Sequence, residues 1–369
     1  MTKLDLSRRG FLGMAAGTTA AAAATAAAPH TDEAPTPVVS ELYPTAETGP
    51  APATVRIVTS QQFTPEEAAA VTRLASKIEL VQCRNRDEVY AAIANADVFF
   101  GVADRETIRR GARLKWIQNS VAGVEGVVEI PELLESKIVL TNMQRVFAPV
   151  ISETAIGLLL ALARGFPTYV RQGDRKQWKN APDLVEISNR TMGVIGFGGL
   201  GSETARRAHY GFGMRIIATD AKPLPKPYWV DELRDPGWQA ELVKQSDAVV
   251  VAAPETKLTR GMVNEAFLKS MKKTAFLIAI SRGTLYDGEA VARALKEGWI
   301  AGAGLDVTPR EPLPADDPLW TAPNALITCH TSGYAPERRG RVMALFAENL
   351  RRYVNGLPLM NVVDKARGY

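Results

Sequence analysis

The stretch Thr191-Met-Gly-Val-Ile-Gly-Phe-Gly-Gly-Leu-Gly201 sets the reading of the whole chain. A short apolar run leads into Gly196-x-Gly198-x-x-Gly201; a helix is predicted over 202–210, and a second apolar run over 214–219 ends at Asp220. The acid lies 19 residues beyond the last glycine. Strand, glycine turn, helix, strand and acid in this order predict a dinucleotide site. Gly196 permits the tight turn, Gly198 lets backbone N–H groups approach a pyrophosphate, and Gly201 lets helix and strand pack closely. The helix start adds N–H donors and the positive end of a dipole. Asp220 would accept hydrogen bonds from the adenine-side ribose and repel a 2′-phosphate, so NAD is expected rather than NADP.

Outward from this unit the same alternation continues. Upstream, apolar runs at 55–58, 80–82, 97–101, 114–119 and 138–141 are interleaved with predicted helices at 65–77 and 86–95. Downstream, strands are predicted at 248–253, 275–280, 302–306 and 325–328, and long helices at 152–173 and 336–355 flank the unit. Such alternation implies parallel sheets covered by helices on both faces. A dinucleotide unit that begins halfway along a chain is expected to be an insertion. The predicted class is α/β: two doubly wound parallel-sheet domains, a Rossmann NAD-binding domain (152–333) inserted into a flavodoxin-like substrate domain (54–151 plus 334–369).

The 369 residues allow two domains. The formal net charge is +4, and Lys3, Arg8 and Arg9 against Asp5 account for half of it. The remainder favours neither nucleic acid nor a charged membrane surface as partner. Residues 1–28 read as a targeting segment: Ser7-Arg8-Arg9-Gly10-Phe11-Leu12 is a twin-arginine motif, followed by a mildly apolar Ala/Gly/Thr stretch. Export by the Tat machinery, a transient partner, to the periplasm is expected. Ala24-Thr25-Ala26 fits a cleavage site, an uncleaved signal would tether the protein to the membrane, and residues 29–53 read as a linker. No later apolar run approaches the ~20 residues of a membrane span. Cys83 and Cys329 have no framework spacing, so no disulfide is expected, and no metal-ligand cluster is visible.

Hydride exchange with a carbonyl needs a proton donor at the reacting oxygen and a cation for an anionic substrate. Of the three histidines, His30 lies in the linker and His209 late on the helix after the glycine turn. His330 follows a predicted strand, at the end where ligands of such sheets gather. Arg282 occupies the comparable place after the strand at 275–280, and its planar fork suits a carboxylate. Glu311 could accept the other ring N–H of His330 and keep a proton ready for delivery. Asp316 and Asp317, in a proline-rich loop, read as solvated surface without a basic partner nearby in sequence.

Together these segments resemble the D-isomer-specific 2-hydroxyacid dehydrogenase family. Ser281-Arg-Gly-Thr-Leu-Tyr-Asp-Gly288 looks like its arginine signature, 302–312 like its glutamate signature, and His330-Thr-Ser-Gly333 like its histidine signature. The resemblance implies that Arg282 binds the substrate carboxylate and carbonyl, His330 is the general acid/base and Glu311 is its partner. It further implies that the amides of Val121, Ala122 and Gly123 hold a 2-oxo or 2-hydroxy acid. Cofactor contacts are implied at Gly199, Leu200, Ala253, Pro254, Ile280, Ser281, Arg282, His330 and Gly333, besides the turn and Asp220. Asp306 is implied to lie near the nicotinamide carboxamide, or else to cap the following turn. A homodimer built on the cofactor domain is also implied. Ala279, Cys329, Glu125 and Ser332 depart from residues common in the family, and Cys329 is expected to be a buried, inert thiol. The competing reading is a non-catalytic dinucleotide sensor or co-regulator on the same fold.

Overall fold

In the computed structural model, which describes residues 54–75, 77–181 and 183–369, the alternating runs form two all-parallel sheets. The twin-arginine segment and the linker lie outside the described residues. The first sheet contains β1 (Val55–Thr59), β2 (Ile78–Gln82), β3 (Val98–Phe100), β4 (Trp116–Gln118) and β5 (Val139–Thr141), ordered β2-β1-β3-β4-β5. The second contains β6 (Thr191–Ile195), β7 (Arg215–Thr219), β8 (Glu232–Arg234), β9 (Ala248–Val251), β10 (Phe276–Ala279), β11 (Gly302–Leu305) and β12 (Ala325–Ile327). Its order is β12-β11-β10-β9-β6-β7-β8. The first is the flavodoxin-like order and the second the Rossmann order with one strand added beyond its sixth. Each reverses direction of assembly once, between β1 and β3 and between β6 and β9, which fixes where a ligand crevice can open.

Both sheets are buried on both faces, as the near-continuous apolar strands require. The helix Arg338–Val354 packs Leu345, Phe346, Leu350 and Tyr353 against one face of the first sheet, although it follows the second in sequence. Phe346 stacks on Phe100 of β3, with ring centroids 4.2 Å apart. The helix Ala148–Ala163 places Leu158, Leu159 and Leu162 on the second sheet. Gly304 of β11 makes this close approach possible, because a Cβ there would stand 2.8 Å from Leu158 Cβ. Among the described residues no single helix is long and apolar enough to cross a membrane.

Several predicted elements change. The helix expected over 152–173 is two helices, Ala148–Ala163 and Phe166–Asp174, bent by 69°. Gly165 takes the left-handed conformation (φ 67°) that ends the first, and Pro167 sits where it can start but not continue the second. The boundary expected at 151/152 falls inside the first of these helices. The helix expected over 65–77 stops at Thr72, and the one over 86–95 ends in a 3-10 turn at Ile93–Asn95. The glycine-turn helix runs Gly199–Phe212, starting within the glycines themselves. Strand β8, a polar edge strand, has no apolar signal in sequence.

Candidate active site

The glycine turn leaves β6 at the switch point beside β9. Gly196 has φ 89°, and a Cβ there would stand 2.5 Å from the Ala253 nitrogen, so the turn and the Ala253-Pro254 segment after β9 are pressed together. A Cβ on Gly201 would stand 2.0 Å from the Gly196 carbonyl oxygen, whereas nothing lies within 4 Å of one on Gly198. The first and third glycines are therefore packing requirements and the second faces open space. No side chain caps the helix start at Gly198, which presents the amides of Gly199 and Leu200 to that space. Arg145, from the loop after β5, lies against Gly199, where a Cβ would meet its Cγ at 2.4 Å.

Asp220 ends β7. Its carboxylate accepts the amide hydrogens of Phe197, inside the glycine turn, at 2.7 Å and of Lys222 at 2.8 Å. Burial pushes its carboxyl above the usual aspartate range, against the opposing pull of those amides. The Lys222 ammonium lies 4.7 Å from the ring centre of Tyr369. The segment carrying Tyr369 is fixed to the first sheet: Val363 N–H donates to Leu140 O at 2.8 Å, and Lys365 Nζ donates to the carbonyls of Leu133, Ser136 and Ile138. The C-terminal segment thus reaches from the edge of the first sheet to the acid of the second.

At the other end of the crevice, three adjacent strands end together: Arg282 follows β10, Asp306 and the loop carrying Glu311 follow β11, and His330 follows β12. His330 Nδ1 meets Glu311 Oε2 at 2.8 Å, leaving Nε2 as the ring atom for a ligand. The second oxygen of Glu311 accepts Thr308 N–H at 3.0 Å. Gly283 locks this loop onto the arginine turn, since a Cβ there would stand 1.9 Å from Thr308 O. His330 has a left-handed backbone (φ 55°), and its N–H donates to Asp306 O at 2.7 Å. The Asp306 side chain, fully buried, accepts from Thr328 Oγ1 (2.6 Å), from the amides of Thr331 and Ser332 (3.2 Å each), and from Ser332 Oγ. Asp306 therefore caps the turn at 328–332 that presents His330, rather than the turn directly following itself. Ser332, one of the departures from the family pattern, supplies a hydroxyl to that cap.

The loop Val121-Ala122-Gly123 comes from the first sheet. Asn119 Nδ2 donates to the carbonyls of Val121 (3.1 Å) and Gly123 (2.7 Å), and Asn142 Nδ2 to that of Ala122 (2.7 Å). Tying the carbonyls back in this way frees the loop's N–H edge to face the crevice. These asparagines were not picked out in sequence, although each stands directly after a strand, at the end where ligand loops begin. Arg282 Nε donates to the Glu125 carboxylate and Nη1 to Ser281 O at 2.7 Å. A cleft of 510 Å³ opens here, lined by Arg86, Val102, Asp104, Arg105, Glu125 and Arg282 among others.

Two expectations change. Cys329 is exposed rather than buried, because it lies on the outward-turning strand end before His330; Cys83 is the buried thiol. Asp317 has a basic partner, Arg310, at 3.0 Å and caps the 3-10 turn after it by accepting Leu319 N–H. His209 contacts Met214 O at 3.1 Å and the rings of Tyr210 and Trp229, away from the crevice. Among the described residues no cluster of ligating side chains could hold a metal ion.

Comparison with known proteins agrees with this geometry. The sequence profile described as "D-isomer specific 2-hydroxyacid dehydrogenase, NAD binding domain" matches residues 156–332. The chain is 35% identical over 273 residues to a glyoxylate reductase of Korarchaeum cryptofilum, covering 71% of this chain and 80% of that protein. It is 30% identical over 311 residues to a D-3-phosphoglycerate dehydrogenase of Methanocaldococcus jannaschii, covering 81% of this chain and 57% of that one. In structure it resembles a D-isomer specific 2-hydroxyacid dehydrogenase from Xanthobacter autotrophicus Py2, solved with NADPH and MES. That match has a TM-score of 0.74 and 25% identity, covering 86% of this chain and 100% of the other. Through the glycine turn, the strand-end Arg282, Glu311 and His330, and these relatives, the chain belongs to the D-isomer-specific 2-hydroxyacid dehydrogenase family.

Proposed function

We propose that the protein is an NAD-dependent oxidoreductase that interconverts a 2-oxo acid and a D-2-hydroxy acid. The observation that carries this reading is the His330–Glu311 pair after β12, on the same sheet edge as Arg282 after β10, with only β11 between the two strands. The turn fits a dinucleotide: Gly198 faces open space above an uncapped helix start, and Asp220 waits one strand away. Bound there, the cofactor's nicotinamide supplies the hydride for reduction of the carbonyl carbon and accepts it in the reverse direction. The Val121–Gly123 amides and Arg282 hold the substrate carboxylate, and Arg282 polarises the carbonyl. His330 Nε2 donates its proton to the carbonyl oxygen, and Glu311 fixes the ring through Nδ1. In oxidation the same nitrogen takes the hydroxyl proton.

The Asp220 carboxylate supports NAD over NADP, because a 2′-phosphate would meet its negative charge. The substrate class follows from the carboxylate site and from relatives that include a glyoxylate reductase. Incubation with NADH and a panel of glyoxylate, hydroxypyruvate, pyruvate and 2-oxoglutarate should consume NADH with at least one of them and yield the D-hydroxy acid. No consumption with any 2-oxo acid would exclude the reading.

The twin-arginine segment supports Tat export of the folded protein, which would carry its cofactor to a periplasm poor in free NAD. Slow cofactor release would follow from that carriage. Complete loss of NAD in one desalting step would count against retention, and a solely cytoplasmic location on cell fractionation against export. A homodimer is supported by Val170 and Trp178, 65% and 100% exposed on and just after the helix Phe166–Asp174.

A further inference from the structure

Arg282, the group read as the substrate's anchor, is already engaged with a carboxylate of the protein itself. Its Nε donates to Glu125, its Nη1 to the Ser281 carbonyl, and its Nη2 lies so near Gly123 that a Cβ there would come within 1.9 Å of it. Glu125 immediately follows the Val121–Val124 loop, and both charged side chains line the 510 Å³ cleft. They are 30% and 29% exposed, open enough to exchange partners yet sheltered enough for the pair to matter. Glutamate stands here where aspartate is usual in the family, and its extra methylene supplies reach toward the guanidinium. An incoming carboxylate that approaches the Nε edge meets Glu125 at the same donor, and two anions cannot share one N–H. From this we infer that Glu125 is a built-in competitor for the substrate: it occupies Arg282 in the substrate-free protein, and a 2-oxo acid binds by displacing it.

This inference rests on the reading of Arg282 as the carboxylate anchor. When the binding-competent state is a fraction of the population, the apparent dissociation constant rises by the inverse of that fraction. Removing the competitor therefore tightens binding. For a pair of this exposure the gain is about threefold to fivefold. Glu125→Asp retracts the carboxylate while keeping its charge, and separates competition for Arg282 from general repulsion of anions. The probe is oxamate, a carboxylate of 2-oxo acid shape that is not reduced, titrated into the protein–NADH complex and followed by NADH fluorescence.

Both Glu125→Gln and Glu125→Asp should bind oxamate more tightly than the wild type, and their KM for the best 2-oxo acid should fall in parallel. In an Arg282→Ala background Glu125→Gln should give no gain, because nothing remains to be released. Each titration is made at saturating NADH, and a thermal melting point within a few degrees of the wild type reports that each variant has folded. Weaker oxamate binding in both Glu125 variants would overturn the inference and make Glu125 a support that positions Arg282. Tightening in Glu125→Gln alone, or a gain that persists without Arg282, would also overturn it in favour of simple charge repulsion. A wild type that neither binds oxamate nor reduces any 2-oxo acid would instead refute the role given to Arg282.

Discussion

Asp220 is tied to the glycine turn by the Phe197 amide, so the acid proposed for the ribose and the turn proposed for the pyrophosphate are held together by a hydrogen bond. Its carboxyl lies above the ordinary aspartate range because burial penalises the charged form more than the amides favour it. Two consequences have opposite sign to those of a salt-bridged acid. The fold binds this proton more tightly than the unfolded chain does, so the residue's contribution to stability is fullest below the unfolded pKa, about 3.9, and is lost as pH rises through the raised folded value. Rejection of NADPH, which depends on the charge, should weaken as pH falls and should begin to do so above the range of an exposed aspartate. The ratio of kcat/KM for NADH over NADPH is therefore expected to drop as pH falls across the acidic interval that runs from above the ordinary aspartate range down through it. Asp220→Asn should show a ratio at least ~10-fold lower that does not vary with pH. A wild-type ratio constant over that interval would contradict this role. At this scale the proposed catalytic set was legible because Arg282 and His330 stand just after strands and Glu311 lies in the loop after β11. The Asn119 and Asn142 supports and the Arg282–Glu125 pair were not, since each depends on residues far apart in sequence meeting across the crevice.

At the scale of elements, the bend at Gly165 turns the helix Phe166–Asp174 away from the second sheet and leaves none of its residues buried. The proposed dimer would use this uncovered helix, and burying exposed Val170 there would contribute about 1.5–3 kcal/mol. Light scattering should give twice the chain mass for the wild type and a monomer for Val170→Asp. A monomeric wild type at micromolar concentration would rule the dimer out. The bend was missed because the apolar pattern continues across Gly165, and only its left-handed φ, followed by Pro167, breaks the helix. Strand β8 was missed for the opposite reason. Glu232-Leu-Arg234 has the charged character of a protected sheet edge, and is a strand only because β7 offers it a partner. The strands on either side of the glycine turn were readable because both faces are buried and their apolar runs are nearly continuous.

For the whole molecule, the position of the glycine turn halfway along the chain was enough to suggest an insertion. The return of the helix Arg338–Val354 to the first sheet has the matching physical basis, an aromatic stack with Phe100 and Trp116 that no element of the second sheet supplies. What sequence could not show is how the two sheets address one crevice: Arg145 against Gly199, Glu125 on Arg282, and Tyr369 beside Lys222. The proposed chemistry nevertheless converges on one atom, Nε2 of His330, whose ring is held by Glu311 and whose turn is held by the Asp306 cap. The most direct measurement is steady-state turnover of His330→Gln with NADH and the best 2-oxo acid, alongside its NADH dissociation constant. A fall in kcat of about 10²–10⁴-fold with NADH affinity retained is the predicted result. Turnover within about threefold of the wild type would show that another group moves the proton and would contradict the assignment.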